Sequence, residues 1–182
     1  MKKVIDLAVI AILTVIVFTV EQALSFIPNV QLTVVLLIIY TKVVGFKKTI
    51  IIVLLHTVID NLYNGSINPF IVMPMLIGWS LIPILLSTIF RKFDSPVWMM
   101  LFAFIFGFVY GWMFIPFASY QFGINAWAYF LSDLPFEAVM GVSGAISVGL
   151  FYTPIMTFLK EQPILQKDSY LKKRYAPTTK SL

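Results

Sequence analysis

The chain lacks cysteine and contains a single histidine, His56, among its 182 residues. The absence of cysteine excludes disulfides, thiolate nucleophiles and cysteine-ligated metal sites. One histidine cannot form a His-Glu-x-x-His metal motif, and the sequence also lacks the Gly-x-Ser-x-Gly nucleophile elbow. These absences argue against an enzyme, and we expect neither a metal ion nor a cofactor.

Charged residues are also scarce, at 12% of the chain, whereas 60% of the residues are hydrophobic and 17 are phenylalanine. The mean hydropathy is +0.94. Such a composition lies far outside the range of soluble domains and predicts an all-α integral membrane protein. Because a helix of about 20 apolar residues spans the roughly 30 Å bilayer core, the chain has room for about six helices and no soluble domain.

Six apolar runs fit this length, and turn-forming or charged segments separate them. They cover residues 4–20, 30–44, 49–62, 69–90, 96–117 and 134–159. The second and third runs are short enough to be re-entrant or interfacial. If all six cross and the N-terminus is cytoplasmic, all 13 Lys and Arg residues lie on the cytoplasmic side. The positive-inside rule then favours a six-transmembrane-helix bundle with both termini cytoplasmic, in which residues 1–159 form the membrane domain and residues 160–182 a basic tail.

Residues 56–69 are the most polar stretch of this hydrophobic sequence. His56 lies four residues before Asp60, so on a helix the two side chains share a face. Ionisable groups inside a membrane are costly and mark a binding site or a transport pathway. A simple turn would also account for the asparagines that follow, and a packed core histidine would account for His56.

Two further segments carry polar or aromatic groups on the predicted outer side, one at Asn29 and Gln31 and the other from Tyr120 to Asp133. Residues 119–130 are aromatic and fit either an interfacial belt or a lid over a pocket. The predicted ligand-binding residues are Asn29, Gln31, His56, Asp60, Asn61, Asn64, Asn68, Trp79, Trp127, Tyr129, Asp133 and Glu137. Since the outer segments hold carboxylates but neither Lys nor Arg, they favour a neutral or cationic ring compound over a strongly anionic ligand.

Small residues recur on the first helix at Ala8, Ala11 and Thr14. This stripe fits either packing within the bundle or docking of a separate subunit. The turn that begins at Gly45 and contains Lys47, Lys48 and Thr49 lacks the leading glycine of a phosphate-binding loop, and no strand precedes it. The chain therefore has no ATPase site of its own, and nucleic acid is not an expected partner.

A chain of this length with six helices, both ends inside, small residues on the first helix and no nucleotide site resembles the substrate-binding S component of energy-coupling factor (ECF) vitamin transporters. The resemblance covers essentially the whole chain. It includes two short segments, Phe26-Ile-Pro-Asn-Val-Gln-Leu-Thr33 and Asp60-Asn61. The usual docking signature of that family is Ala-x-x-x-Ala, and Ala8-x-x-Ala11 is one residue shorter.

The resemblance implies a high-affinity binding subunit in a bacterial cell membrane, with a transmembrane coupling subunit and two ATPase subunits as partners. The implied ligand is a vitamin or related micronutrient. Cobalamin is our first expectation, and a pyridoxine- or thiamin-precursor-like base or a queuosine precursor are the others. The main alternative is a proton-coupled secondary transporter that uses His56, Asp60 or Glu137, although the sequence shows no internal duplication. An intramembrane enzyme or an assembly factor is the third possibility.

Overall fold

The computed structural model describes residues 2–27, 32–65 and 67–166, with the side chains from residue 3 onward within these ranges. This part of the chain is all-helical. Its helices are α1 (Lys2–Leu24), α2 (Thr33–Val43), α3 (Phe46–Tyr63), α4 (Pro69–Ser87), α5 (Pro96–Phe122), α6 (Ala126–Glu161) and the short α7 (Pro163–Gln166). The predicted binding residues Asn29 and Gln31 and the tail from residue 167 lie outside the described residues.

Four of these helices, α1, α4, α5 and α6, are long and apolar enough to cross a membrane. The chain is therefore a multi-pass membrane protein. The 18 residues of α3 rise about 27 Å and the 11 residues of α2 about 16 Å, at about 1.5 Å per residue. On length alone, α2 does not match a bilayer core of about 30 Å.

Successive helices from α1 to α3 alternate in direction. Lys48 and Asp6 form an ion pair of 2.7 Å that joins the first turns of α3 and α1. Because Gln22 and Asp60 are also hydrogen-bonded at the far ends of the same two helices, α1 and α3 run parallel. The intervening α2 runs the other way, from Thr33 beside the end of α1 to its last turn beside the α4–α5 connection.

The short helix α2 is buried along its whole length. It packs against α1, α3, α4 and α6, and Lys42 is the one charged residue among its 11 residues. A helix that is apolar on all sides is typical of a core element. Since protein rather than lipid surrounds α2, its length need not match the bilayer thickness.

The most extensive contact in the fold joins α5 and α6. Glycines allow the two backbones to touch: a Cβ atom on Gly107 would lie 2.4 Å from the backbone nitrogen of Gly141. A Cβ atom on Gly141 would in turn lie 2.6 Å from the carbonyl oxygen of Phe104. These small residues therefore allow the close contact between α5 and α6.

Residues 119–130 are not a separate interfacial segment. They are the last turn of α5 and the first turn of α6, with the chain reversing at Gly123 in a left-handed conformation (φ 65°). The Asn125 side chain then accepts hydrogen bonds from the backbone N–H groups of Trp127 and Ala128 and so starts α6. At its other end α6 stops at Glu161, just past the predicted boundary at residue 159.

The described Lys and Arg residues lie at one end of the bundle, which we call the basic end. It comprises the first turns of α1 and α3, the last turns of α2 and α6, and the α4–α5 connection. Its basic residues are Lys3, Lys42, Lys47, Lys48, Arg91, Lys92 and Lys160. The buried Lys42 donates to the carbonyl oxygen of Phe93 at 2.6 Å and pairs with Asp94 at 3.0 Å. This lysine therefore attaches α2 to the α4–α5 connection.

Candidate functional site

A cluster of polar side chains occupies the opposite end of the bundle, where α1 and α3 end. We call it the acidic cluster, and it comprises Glu21, Gln22, Thr33, His56, Asp60 and Asn64. One carboxylate oxygen of Glu21, Oε2, accepts a hydrogen bond of 2.6 Å from the Thr33 hydroxyl. The same oxygen lies 2.8 Å from Nε2 of His56. Glu21 thus joins three helices, α1, α2 and α3.

His56 is fully buried, a position that fits both the predicted binding residue and the alternative of a packed core histidine. Its Nε2 atom is close to Glu21, yet the N–H direction is not aligned for a hydrogen bond, and neither ring nitrogen has a hydrogen-bond partner among the described residues. The imidazole is therefore held by the proximity of the carboxylate rather than by a linear hydrogen bond. A buried polar ring left in this state is a common mark of a functional site.

Asp60 is the second carboxylate of the cluster and is 7% exposed. Its Oδ1 atom accepts hydrogen bonds from Gln22 at 2.6 Å and from Asn64 at 3.2 Å. Glu21 repels its charge and His56 attracts it. Within the described part of the chain, no hydrogen bond reaches Oδ2 of Asp60 or Oε1 of Glu21. Each carboxylate therefore keeps one acceptor oxygen available.

Two of the predicted binding residues have structural partners instead. Asn61 donates to the carbonyl oxygen of Thr57 at 2.8 Å and lies 3.3 Å from the sulfur of Met75, so it contributes to the contact between α3 and α4. The Asn68 side chain accepts a hydrogen bond of 3.0 Å from the backbone of Phe70 and thereby caps α4. The local packing of both side chains is explained without a ligand.

A pair of aromatic rings lies next to the acidic cluster. The Trp79 ring is fully buried, and its centroid is 4.3 Å from that of Tyr110. Gly78 leaves room for the Tyr110 ring, because a Cβ atom on Gly78 would lie 2.6 Å from that ring. Tyr110 is close enough to Glu21 and Asp60 to interact with their charges. The predicted residue Trp79 thus reaches the cluster through Tyr110, which the sequence analysis did not identify.

Glu137 forms a separate polar contact between α5 and α6. It is 2% exposed, and its Oε2 atom accepts a hydrogen bond of 2.9 Å from the Trp112 indole. Its Oε1 atom has no partner among the described residues and would lie 2.5 Å from a Cβ atom on Gly111. Gly111 is therefore the residue that makes room for the carboxylate.

The predicted residues around the start of α6 belong with Glu137 rather than with the acidic cluster. Trp127 is exposed and stacks on Phe130 at 5.3 Å, and Phe130 in turn contacts Trp112. The charge of Asp133 acts on Glu137 and on Tyr129. In the described part of the chain, the polar and ring contacts of these residues are with α5 and α6 only.

The predicted docking stripe on α1 is divided between two faces. Ala8 and Ala11 are exposed, whereas Thr14 is buried and its hydroxyl donates to the carbonyl oxygen of Ile10 at 2.8 Å. Steps of three residues rotate about 60° around a helix of about 3.6 residues per turn, so Thr14 lies about 120° away from Ala8. The exposed small-residue face therefore comprises Ala8 and Ala11 without Thr14.

Glu21, Gln22 and Thr33 were not among the predicted binding residues. A signal was present, because Glu21 and Gln22 interrupt an apolar run at the same end as Asp60. Tyr110 carried no such signal, since it lies in a run dense in aromatic residues.

Comparison with protein-family models, curated proteins and solved structures gives no match for this chain. The fold and the site therefore define the class alone: a multi-pass helical membrane protein with buried carboxylates, a histidine and aromatic rings at one end. Among the described residues, no three His, Asp or Glu side chains are placed to hold a metal ion together.

Proposed function

We propose that this protein is the substrate-binding S component of an energy-coupling factor transporter in a bacterial cell membrane. It binds a vitamin or related micronutrient with high affinity. The observation that carries the proposal is the acidic cluster beside the Trp79–Tyr110 pair, at the end of the bundle opposite the basic end. A few orienting polar groups within an apolar, aromatic frame are typical of small-molecule sites.

The proposed topology has six membrane-crossing helices and both termini in the cytoplasm. The alternating directions of α1, α2 and α3 support it, as does the gathering of described Lys and Arg residues at the basic end. With the basic end in the cytoplasm, the positive-inside rule is obeyed and the acidic cluster faces outward. A ligand would then reach the cluster from outside the cell.

The energy source in this proposal is a set of partner chains, a transmembrane coupling subunit and two ATPases. The exposed face of α1 at Ala8 and Ala11 supports docking of the coupling subunit, because small side chains let two helices approach closely in lipid. The proposed ligand is cobalamin or, as alternatives, a pyridoxine- or thiamin-precursor-like base or a queuosine precursor.

The decisive experiment is purification of the protein with and without its coupling subunits, followed by identification of the small molecule that co-purifies. We expect a vitamin-like compound whose affinity falls in Asp60→Ala and Asn64→Ala, because the two side chains are hydrogen-bonded to each other in the acidic cluster. Asp6→Ala is the matched control at the basic end and should leave the affinity unchanged. Recovery of no ligand, together with proton-driven uptake by this chain alone, would contradict the proposal.

Docking is tested by a bulky substitution on the small-residue face. Ala11→Trp should abolish co-purification of the coupling subunit and uptake by the complex, while ligand binding by the isolated protein stays intact. Ala128→Trp, at another exposed alanine at the start of α6, is the control. If both variants lose coupling equally, or if neither loses it, then α1 is not the docking face.

A second candidate function is proton-coupled secondary transport. The buried contact between His56 and Glu21, 2.8 Å long, favours it because such a pair can hold and release a proton. The separation of Glu137 from the acidic cluster divides the three expected proton carriers between two places. Uptake that follows a proton gradient with no partner subunit present would establish this function instead.

A further inference from the structure

We infer that the acidic cluster selects a positively charged, nitrogen-containing ring compound, an inference that rests on the proposed binding function and specifies the chemistry of its substrate. The starting point is an imbalance of charge. Glu21 and Asp60 interact with one another's charges, and His56 is the single basic side chain that faces them among the described residues. The described Lys and Arg residues all lie at the basic end.

Backbone dipoles add to this negative field. α1 ends at Leu24 and α3 at Tyr63, so the carboxyl ends of two parallel helices meet at the acidic cluster, whereas α2 brings one amino end there at Thr33. The last turn of a helix carries a partial negative charge of about one half of an elementary charge, which attracts cations. The negative ends outnumber the positive one, so the helix dipoles disfavour the negative charges of Glu21 and Asp60. A bound cation would offset this unfavourable electrostatic energy.

The hydrogen-bonding capacity of the cluster indicates the same ligand independently of its charge. The His56 ring is fully buried and directed into the cluster, without a hydrogen-bond partner among the described residues. Glu21 and Asp60 each keep one carboxylate oxygen to which no described side chain donates. Two open acceptors on different helices call for a ligand with several N–H donors, such as an ammonium or an amino-substituted heterocycle.

The aromatic pair supplies the reason to expect a ring. The Tyr110 ring packs against Trp79 at a tilt of 34° and interacts with the charges of both Glu21 and Asp60. An aromatic face next to carboxylates suits a flat cation, because the ring quadrupole attracts positive charge while the carboxylates accept its N–H groups. Of the proposed ligands, these features favour a compact base over cobalamin, whose outer groups are mainly neutral amides.

The inference is tested with compounds that share a ring and differ in charge. Binding to the purified protein is followed by tryptophan fluorescence for pyridoxamine, which carries an ammonium group, for neutral pyridoxine and for anionic pyridoxal phosphate. Thiamin is added as a ring with a permanent positive charge, and any co-purifying molecule is identified by mass spectrometry. We expect the cationic compounds to bind at least about tenfold more tightly than their neutral counterpart, or a cationic ligand to co-purify.

Variants connect this preference to the cluster. Asp60→Asn and Glu21→Gln keep the size of each side chain and remove its charge, so they should abolish the preference for a cation. Asp6→Asn removes a carboxylate from the other end of α1 and should retain it. The thermal stability of each variant without ligand shows that it is folded.

The outcomes separate this inference from the proposed function. A neutral or anionic compound that binds as tightly as its cationic counterpart, or a co-purified ligand without positive charge, overturns the inference and leaves the binding function in place. If no compound binds and none co-purifies, both fail. A cation preference that persists in Asp60→Asn and Glu21→Gln also overturns the assignment to this cluster.

Discussion

At the basic end of the bundle, the buried Lys42 is met by acceptors, with its Nζ atom 2.6 Å from the carbonyl oxygen of Phe93 and 3.0 Å from Asp94. At the acidic end, the equally buried His56 has one poorly aligned contact, and Glu21 and Asp60 repel each other. Both ends contain buried ionisable groups within an otherwise hydrophobic sequence. They differ in whether the protein itself provides the partners.

This difference separates charges that hold the fold from charges that are available for a ligand. A buried charge with its partners in place is strongly destabilising to disrupt, because removal of one member leaves the other uncompensated. A buried charge without sufficient partners weakens the fold and persists where a function requires it.

Removal of Lys42 tests the structural end. Lys42→Met should lower the free energy of unfolding by about 3 kcal/mol, mainly because it leaves the carbonyl oxygens of Phe90 and Phe93 without their donor. Thermal unfolding in detergent measures the effect. Lys47→Met, at an exposed position on α3, is the control and should change stability by less than about 0.5 kcal/mol. Equal effects of the two substitutions would show that Lys42 is not a structural anchor.

The α5–α6 contact is the uncharged frame that both ends share. Gly141→Ala should destabilise the protein by about 2 kcal/mol, since the added methyl group meets the backbone oxygen of Phe104 and forces the helices apart. Gly149→Ala meets the flexible side chain of Met100 at 3.2 Å and should be nearly neutral. The same unfolding measurement compares the two variants, and a neutral Gly141→Ala would contradict the close contact.

Neutralisation of Asp60 should have the opposite sign to the change at Lys42. Asp60→Asn keeps an oxygen for Gln22 and Asn64 and relieves repulsion from Glu21, so we expect the ligand-free protein to gain about 0.5–1 kcal/mol. Ligand affinity should fall about tenfold, which corresponds to about 1.4 kcal/mol. Unfolding with and without ligand measures both quantities. A loss of stability in the ligand-free protein would show that the two ends do not differ in the proposed way.

The smallest effect is expected at the partly exposed pair of Asp6 and Lys48. Asp6→Asn should reduce stability by less than about 1 kcal/mol, since such ion pairs contribute little and salt screens them. Unfolding at low and high salt should show the difference between variant and wild type shrinking as salt rises. A loss as large as that of Lys42→Met would mean that burial does not decide which basic-end charges matter.

The boundaries of several helices differ from those of the predicted apolar runs for one reason. Apolarity ends where polar residues begin, whereas a helix continues until a capping residue or a turn stops it. Thus α3 begins at Phe46 and includes the two lysines that lie just before the third apolar run, and α5 continues to Phe122. Similarly, α6 begins at Ala126, well before residue 134, because Gly123 and Asn125 form the turn and the cap.

The residues of the acidic cluster were predictable where they lie on one helix. His56 and Asp60 share the buried face of α3, as their four-residue spacing indicates. Their partners Glu21 and Gln22 are more than thirty residues away along the chain. Such pairs form only when α1 and α3 pack in parallel, and nothing in the local pattern of either helix specifies that arrangement.

Hydropathy along the chain is enough to identify a helical membrane protein with polar groups confined to a few positions, because hydropathy adds up residue by residue and needs no knowledge of contacts. Tertiary structure alone decided that α2 is enclosed by protein, that Lys42 is fully partnered and that Glu21 meets His56. Charge pairing and burial depend on distances between helices. The fold therefore decided how completely the protein itself provides partners for each buried ionisable group.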